Sequence, residues 1–358
     1  MGMATAPPIH VCLLATPDTV ATPLVSVYDA LNLITVLRAF DEAVPETPPY
    51  HVEIVSETDA PVMTASGIPI ITHRSIERVK TTDLVIVPSI MTDSNTWRRG
   101  QRPHVSAWLR AMHAQGAMMC TTCSGAFLLA EAGLLDGREA TMHWSHARAF
   151  ERAFPEVKLR LEKILVTTGG RGEFVMSGAS TSWQDLVIYL VARQVGYPVA
   201  YALAKFMALQ WHSDGQQPFI IFTPDLDHGD ISVLATQRWL ETHYSDGSPV
   251  EAMVALSELP DRTFKRRFHN ATGLSPIQYV QHLRIDRAKR WLERSTLPIE
   301  EISWKVGYED AAFFRRLFKR ITTMTPGAYR STFTLPRFEH ATAQPAAEGA
   351  QTLRLTAV

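Results

Sequence analysis

The sequence predicts two folds in one chain: an α/β domain with a mainly parallel sheet, followed by an all-α domain with two helix-turn-helix motifs. Three observations lead there. Between residues 10 and 212, short apolar runs of strand type alternate with helical periodicities, the pattern of a parallel sheet covered on both faces. From residue 231 to residue 335, apolar residues recur at helical spacing, and a basic outward face occurs twice, about 50 residues apart. Charge divides near the same point. Residues 228–337 hold 17 Lys and Arg against 12 Asp and Glu, whereas residues 1–227 hold 17 against 22, beneath a net charge of only -1.

The first domain reads in order as follows. Residues 1–9 are expected to be disordered. HVCLLAT (His10 to Thr16) is a strand, and a helix runs from about Leu24 to Phe40. After a Pro-rich loop, HVEIVS (His51 to Ser56) alternates as a strand does, and Val62 to Ile71 supplies a hairpin around Gly67. DLVIVPS (Asp83 to Ser89) is continuously apolar, as a central strand buried on both faces must be. Pro103 to Gln115 is an amphipathic helix with Val105, Trp108, Leu109 and Met112 inward, stopped by Gly116. AMMCTTC (Ala117 to Cys123) is another buried strand that turns at once into a helix. A helix around Ala147 to Phe154, the strand pair KILVTTG and EFVMSGA, and helices near 181–195 and 198–209 complete the unit.

Cys123 stands where strand becomes helix. A thiol there faces free helix N–H groups, which favour thiolate and predict a lowered pKa. Gly125 is expected to permit the sharp turn, and His143 to lie beside the thiol. An inert core cysteine, a pocket cysteine and a redox sensor all remain open for this position, and His143 is divided between pocket wall and core. Cys120 and Cys123 form a single CxxC with no second pair, so no metal and no cofactor are expected. Three cysteines are too few for a disulfide scaffold, and no apolar run reaches the roughly 18–20 residues of a membrane span. With no signal segment in MGMATAPPIH, a cytoplasmic location away from any membrane is expected.

Residues 213–230, rich in Gly, Pro and Asp, read as a linker. A helix follows over Ile231 to Tyr244, and Pro249 opens the next. DRTFKRRFHNATG (Asp261 to Gly273) puts Phe264 and Phe268 inward and Arg262, Lys265, Arg266 and His269 outward. A helix capped by Ser275 then runs to about Arg294, stiff enough to hold two recognition helices at a fixed separation. Ile299, Ile302 and Val306 share one helix face; Gly307 supplies a turn needing positive φ; Asp310 caps the next helix. That helix buries Phe314, Leu317, Phe318 and Ile321 and presents Ala311, Ala312, Arg315, Arg316, Lys319 and Arg320. Arg315/Lys319 and Arg316/Arg320 are like-charge pairs, each unfavourable by roughly 0.2–0.5 kcal/mol in isolation, as suits a surface that meets phosphates. Residues 336–358 are expected to be a disordered tail.

RTFKRRF…TGLSPIQYVQHLRIDRAKRWL…PIEEISWKVGYEDAAFFRRLFKR…TPGAYR strongly resembles the AraC/XylS-type double helix-turn-helix domain. The resemblance implies that Arg262, Lys265 and Arg266, then Ala311, Ala312, Arg315, Arg316 and Lys319, face DNA. Residues 10–195, through the Cys123 elbow and the following His143, resemble the PfpI-like, class I glutamine amidotransferase-like fold, a flavodoxin-like architecture. Active members place Glu where this chain has Pro23, and many have a Gly pair where it has Pro88-Ser89. Glu258 and Pro260 replace the usual Gly and Ser of the first helix-turn-helix turn, and Thr323 replaces a common helix-ending Gly. The whole layout is similar to the GlxA-like branch of AraC-family regulators. It implies a non-enzymatic regulator that binds promoter DNA, meets RNA polymerase and dimerises through its first domain. A small effector would then sit near Asp29, Ser89, Cys123, Ser124, His143 and Trp144. The competing expectation is a cysteine amidase or hydrolase tethered to DNA.

Overall fold

The computed structural model describes residues 7–92 and 96–336; residues 1–6 of the expected disordered N-terminus and all of the expected tail beyond residue 336 lie outside the described residues, while Ile9, expected to be disordered, already belongs to a strand. The chain forms two compact units, Met1–Ile221 and Phe222–Val358. Part of the segment read as a linker therefore packs in the first unit. Gln216 is fully buried there, donating its amide to Thr141 Oγ1 and to the carbonyls of Met142 and Lys163.

Unit 1 is built on a seven-stranded sheet. Its strands are β1 (Ile9–Leu14), β2 (Tyr50–Ser56), β5 (Arg74–Ser75), β6 (Leu84–Val87), β7 (Met118–Thr122), β10 (Leu165–Thr168) and β11 (Phe174–Ser177), in the order β10-β11-β7-β6-β1-β2-β5. Every neighbouring pair is parallel except β10 with β11. Side-chain alternation feeds two cores. Val11 and Leu13 join one face under α1 (Ala21–Asn32), α5 (Trp183–Gln194) and α6 (Tyr197–Phe206). Cys12 and Leu14 join the other, under α2 (Pro103–Ala114), α3 (Ala126–Glu131) and α4 (Ala147–Ala153). The helix expected to reach Phe40 stops at Asn32 and continues as a tight 3-10 turn over Ile34–Ala39. The hairpin around Gly67 forms from β3 (Val62–Met63) and β4 (Pro69–Ile70), with Gly67 at φ 78°. β8 (Glu139–Ala140) and β9 (Lys158–Leu159) form a small separate pair that two residues of sequence each cannot announce.

Unit 2 is helical: α7 (Ile231–His243), α8 (Pro249–Ser257), α9 (Asp261–Thr272), α10 (Pro276–Arg294), α11 (Ile299–Lys305), α12 (Ala311–Thr322) and α13 (Pro326–Phe333). α10 has a complete capping box, Ser275 with Gln278, and Pro276 in its first turn. At about 1.5 Å per residue its 19 residues span roughly 28 Å. Its N-terminal half supplies Tyr279, Val280 and Leu283 to one core with Phe264 and Phe268. Its C-terminal half supplies Ile285, Ala288 and Leu292 to a second with Phe314, Leu317 and Phe318. One helix thus serves as the common spine of both motifs. α13 closes the second core through Tyr329, which is 2% exposed and donates to Glu293 Oε1 at 2.7 Å.

Candidate functional site

The two basic helices stand as their spacing requires. In α9, Phe264 and Phe268 are fully buried while Arg262, Lys265, Arg266 and His269 are exposed. In α12, Phe314 and Phe318 are fully buried, Arg315, Arg316, Lys319 and Arg320 are exposed, Ala312 is exposed and Ala311 half-buried. Asp310 caps α12 by accepting from the N–H groups of Ala312 at 2.8 Å and Phe313 at 3.0 Å. Those bonds, with Arg316 nearby, hold its carboxyl below the usual aspartate range.

Arg284 sets the geometry between elements. Buried in α10, it donates Nε to the Tyr244 carbonyl at 2.6 Å, Nη1 to Gly307 O at 2.8 Å and Nη2 to Asp246 O at 2.7 Å. Its guanidinium also lies 4.9 Å from the Tyr308 ring centre. Three carbonyls at two turns are tied to one planar cation. Gly307, at φ 88°, is where the turn passes closest: a Cβ there would stand 2.6 Å from Ser245 O and 2.8 Å from Arg284 Cζ. The expected positive φ is present, and the lack of a side chain is needed for space as well. The sequence reading missed Arg284, because its partners lie 23 to 40 residues away.

The departures at the turns are accommodated by backbone strain. Glu258 ends α8 at φ 54° and Thr323 ends α12 at φ 66°, both in the left-handed region where glycine would rest more easily. The basic residues are also not all free of protein partners. Lys265 pairs with Asp261 at 2.9 Å, Arg315 with Glu300, and Arg316 lies 4.0 Å from Asp310. Arg320 donates to Gln281 Oε1 at 3.2 Å.

In unit 1 the elbow is real, with different mechanics from those expected. Cys123 itself holds the left-handed conformation, φ 53°, and its thiol meets the hydroxyls of Ser89, Ser124 and Ser180 and the Ser124 N–H. Gly125 has ordinary helical φ (-55°); it is needed because any Cβ would strike the Val87 and Pro88 carbonyls at the end of β6. Ser124 fastens the same junction, donating to Ile90 O at 2.5 Å and accepting from Ile90 N–H at 2.9 Å. Ser89 lies 3.3 Å from Thr122 Oγ1.

The expected low thiol pKa fails here, and no described hydrogen bond supports the expected partnership with His143. The Cys123 thiol is pushed up rather than down, because burial at 6% exposure outweighs the hydroxyls and the N–H group. His143 is not paired with it among the described hydrogen bonds. Its Nδ1 turns to Ser145, 2.8 Å from the hydroxyl and 3.2 Å from the N–H, and its ring stacks on Trp144 at 5.1 Å. Burial and the neighbouring His146 lower its pKa to about 4, so it stands neutral near pH 7. Asp29 is exposed on α1, and no described contact brings it to the cysteine. The structure thus gathers Ser89, Cys123 and Ser124 and adds Ser180, and no described contact ties Asp29, His143 or Trp144 to them.

Comparison with known proteins follows the same division. Residues 19–173 match the DJ-1/PfpI family and residues 254–332 match a helix-turn-helix domain. The transcriptional regulator CdhR of Pseudomonas aeruginosa is 24% identical over 289 residues, 80% of this chain and 83% of its own. The regulator GlxA of Rhizobium meliloti is 29% identical over 230 residues, 62% of this chain and 68% of its own. GbdR of Pseudomonas aeruginosa is 24% identical over 226 residues, 63% of this chain and 60% of its own. No helix among the described residues is long and apolar enough to cross a membrane. A DJ-1/PfpI domain joined to an AraC-type helix-turn-helix domain, distantly homologous to GlxA, CdhR and GbdR, makes this chain a DNA-binding transcriptional regulator of the AraC family.

Proposed function

We propose that the chain reads a specific promoter sequence with α9 and α12 in successive major-groove segments, under the control of a small metabolite bound in a non-catalytic first domain. The observation that carries this is the matched pair of helices. Each has a buried Phe pair inside and a basic face outside, and both pack on the single helix α10. Arg262 and Arg266, then Arg315 and Arg316, are the base readers, with Lys265 and Lys319 setting register on phosphates. The Arg315–Glu300 pair does not oppose this. Both side chains are about half exposed, so solvent screens the pair and a bidentate guanine contact outweighs it.

On this reading the effector binds beside the Cys123 elbow, where the hydroxyls of Ser89, Ser124 and Ser180 lie against the thiol. Its neutral hydroxyls suit a polar ligand, and two chains pairing through their first domains would convey the bound state to promoter DNA and RNA polymerase. A hydrolytic reading is disfavoured by the raised thiol and by the engagement of His143 with Ser145. The test begins with a site selected from random DNA. Arg315→Ala and Arg316→Ala should each weaken binding to it by about 5- to 150-fold, and Glu300→Gln should tighten it by up to about fivefold. Unchanged footprints for both arginine variants would remove the assignment. For the effector, a thermal-shift screen with amino acids, quaternary amines and aldehydes should yield a ligand whose stabilisation is lost in a pocket-filling Ser89→Leu variant.

A further inference from the structure

At the opposite end of the sheet from the elbow, strands β1 and β2 place two imidazoles and a carboxylate in register. His10 stands beside His51 and Cys12 beside Glu53, and alternation puts all four side chains on one face. His10 Nε2 lies 2.8 Å from Glu53 Oε2, and His51 Nε2 lies 3.7 Å from Glu53 Oε1. The three donor atoms are all within 4.8 Å of one another.

The geometry points to a divalent transition-metal site, of the kind zinc takes, with His10 Nε2, His51 Nε2 and a Glu53 oxygen as its three protein donors. Ligands around a tetrahedral zinc ion, at about 2.0–2.2 Å from the metal, stand roughly 3.3–3.5 Å apart. The two imidazole-to-carboxylate separations, 2.8 Å to Glu53 Oε2 and 3.7 Å to Oε1, fall on either side of that value, one at each oxygen. Neutralising the buried Glu53 carboxylate explains only part of the arrangement. His10 and Arg74, at 2.8 and 2.5 Å, already do that. His51 is beyond hydrogen-bond reach, yet its Nε2 is turned to the same carboxylate and its ring stacks on His10 with centres 5.4 Å apart. Arg74 serves as the outer partner that orients Glu53, and His51, 58% exposed at its side chain, leaves the remaining position open to water. Imidazole and carboxylate donors together select zinc, cobalt or nickel over magnesium and calcium.

The test uses the full chain stripped with chelator. Zinc is added in equilibrium dialysis, and cobalt is followed by its visible d–d bands. The expected result is one zinc ion per chain and a tetrahedral cobalt spectrum. His51→Ala, an exposed substitution that leaves the core intact, should weaken zinc binding at least about tenfold and abolish the cobalt bands. His104→Ala, at an exposed position on α2, should change neither. Glu53→Gln should lose the metal while circular dichroism reports whether the sheet survives. Failure of the wild-type chain to retain zinc, or equal retention by the His51→Ala and wild-type chains, overturns the site.

Discussion

Replacing Gly307 by Ala tests how the second helix-turn-helix is held. At φ 88° an L-residue costs about 1–2 kcal/mol. The new methyl would also stand 2.6 Å from Ser245 O and 2.8 Å from Arg284 Cζ. Forced overpacking of this kind costs about 1–3 kcal/mol, so the sum is about 2–5 kcal/mol. Gly273 provides the control: its φ is 74°, but nothing lies within 4 Å of the place a methyl would take, so Gly273→Ala should cost only the strain. Hydrogen exchange read by mass spectrometry on peptides from α11 and α12 reports the local opening free energy. Gly307→Ala should raise exchange there at least about thirtyfold and weaken DNA binding, because the Arg284 bond to Gly307 O orients the turn. Equal destabilisation by Gly273→Ala and Gly307→Ala, each in its own motif, would refute the close-approach argument and leave strain alone.

Three further outcomes follow from the same geometry. Thr323→Gly should stabilise unit 2 by about 1 kcal/mol, since Thr323 sits at φ 66°; a loss of stability in urea unfolding would contradict the strain. Iodoacetamide should label Cys123 slowly at pH 7 and faster only as pH rises past the ordinary thiol range, and rapid labelling mapped to this residue would disprove the raised pKa. His212 Nδ1 lies 2.7 Å from the fully buried carboxylate of Asp185, which raises the imidazole pKa. A raised folded-state pKa contributes stability that is complete below the unfolded value near 6.5 and disappears as pH rises through the folded value. The melting temperature of unit 1 should therefore fall across that window in the wild type and not in His212→Asn; identical pH profiles would dismiss the pair.

What could be read in advance was what short-range periodicity encodes. The inward Phe264/Phe268 and Phe314/Phe318 pairs, the Asp310 cap and the positive φ at Gly307 depend on residues within one or two turns, so their spacing is visible in the chain itself. The parallel sheet was legible for a related reason: runs such as Leu84–Val87 must be apolar when both faces are covered. Tertiary structure alone decided matters that depend on distant partners. It turned His143 toward Ser145, buried Cys123 until desolvation outweighed the N–H field, joined Arg284 to three carbonyls, and brought His10 alongside His51 through strand register. Burial and register are sums over residues far apart in the chain, and a local pattern carries neither.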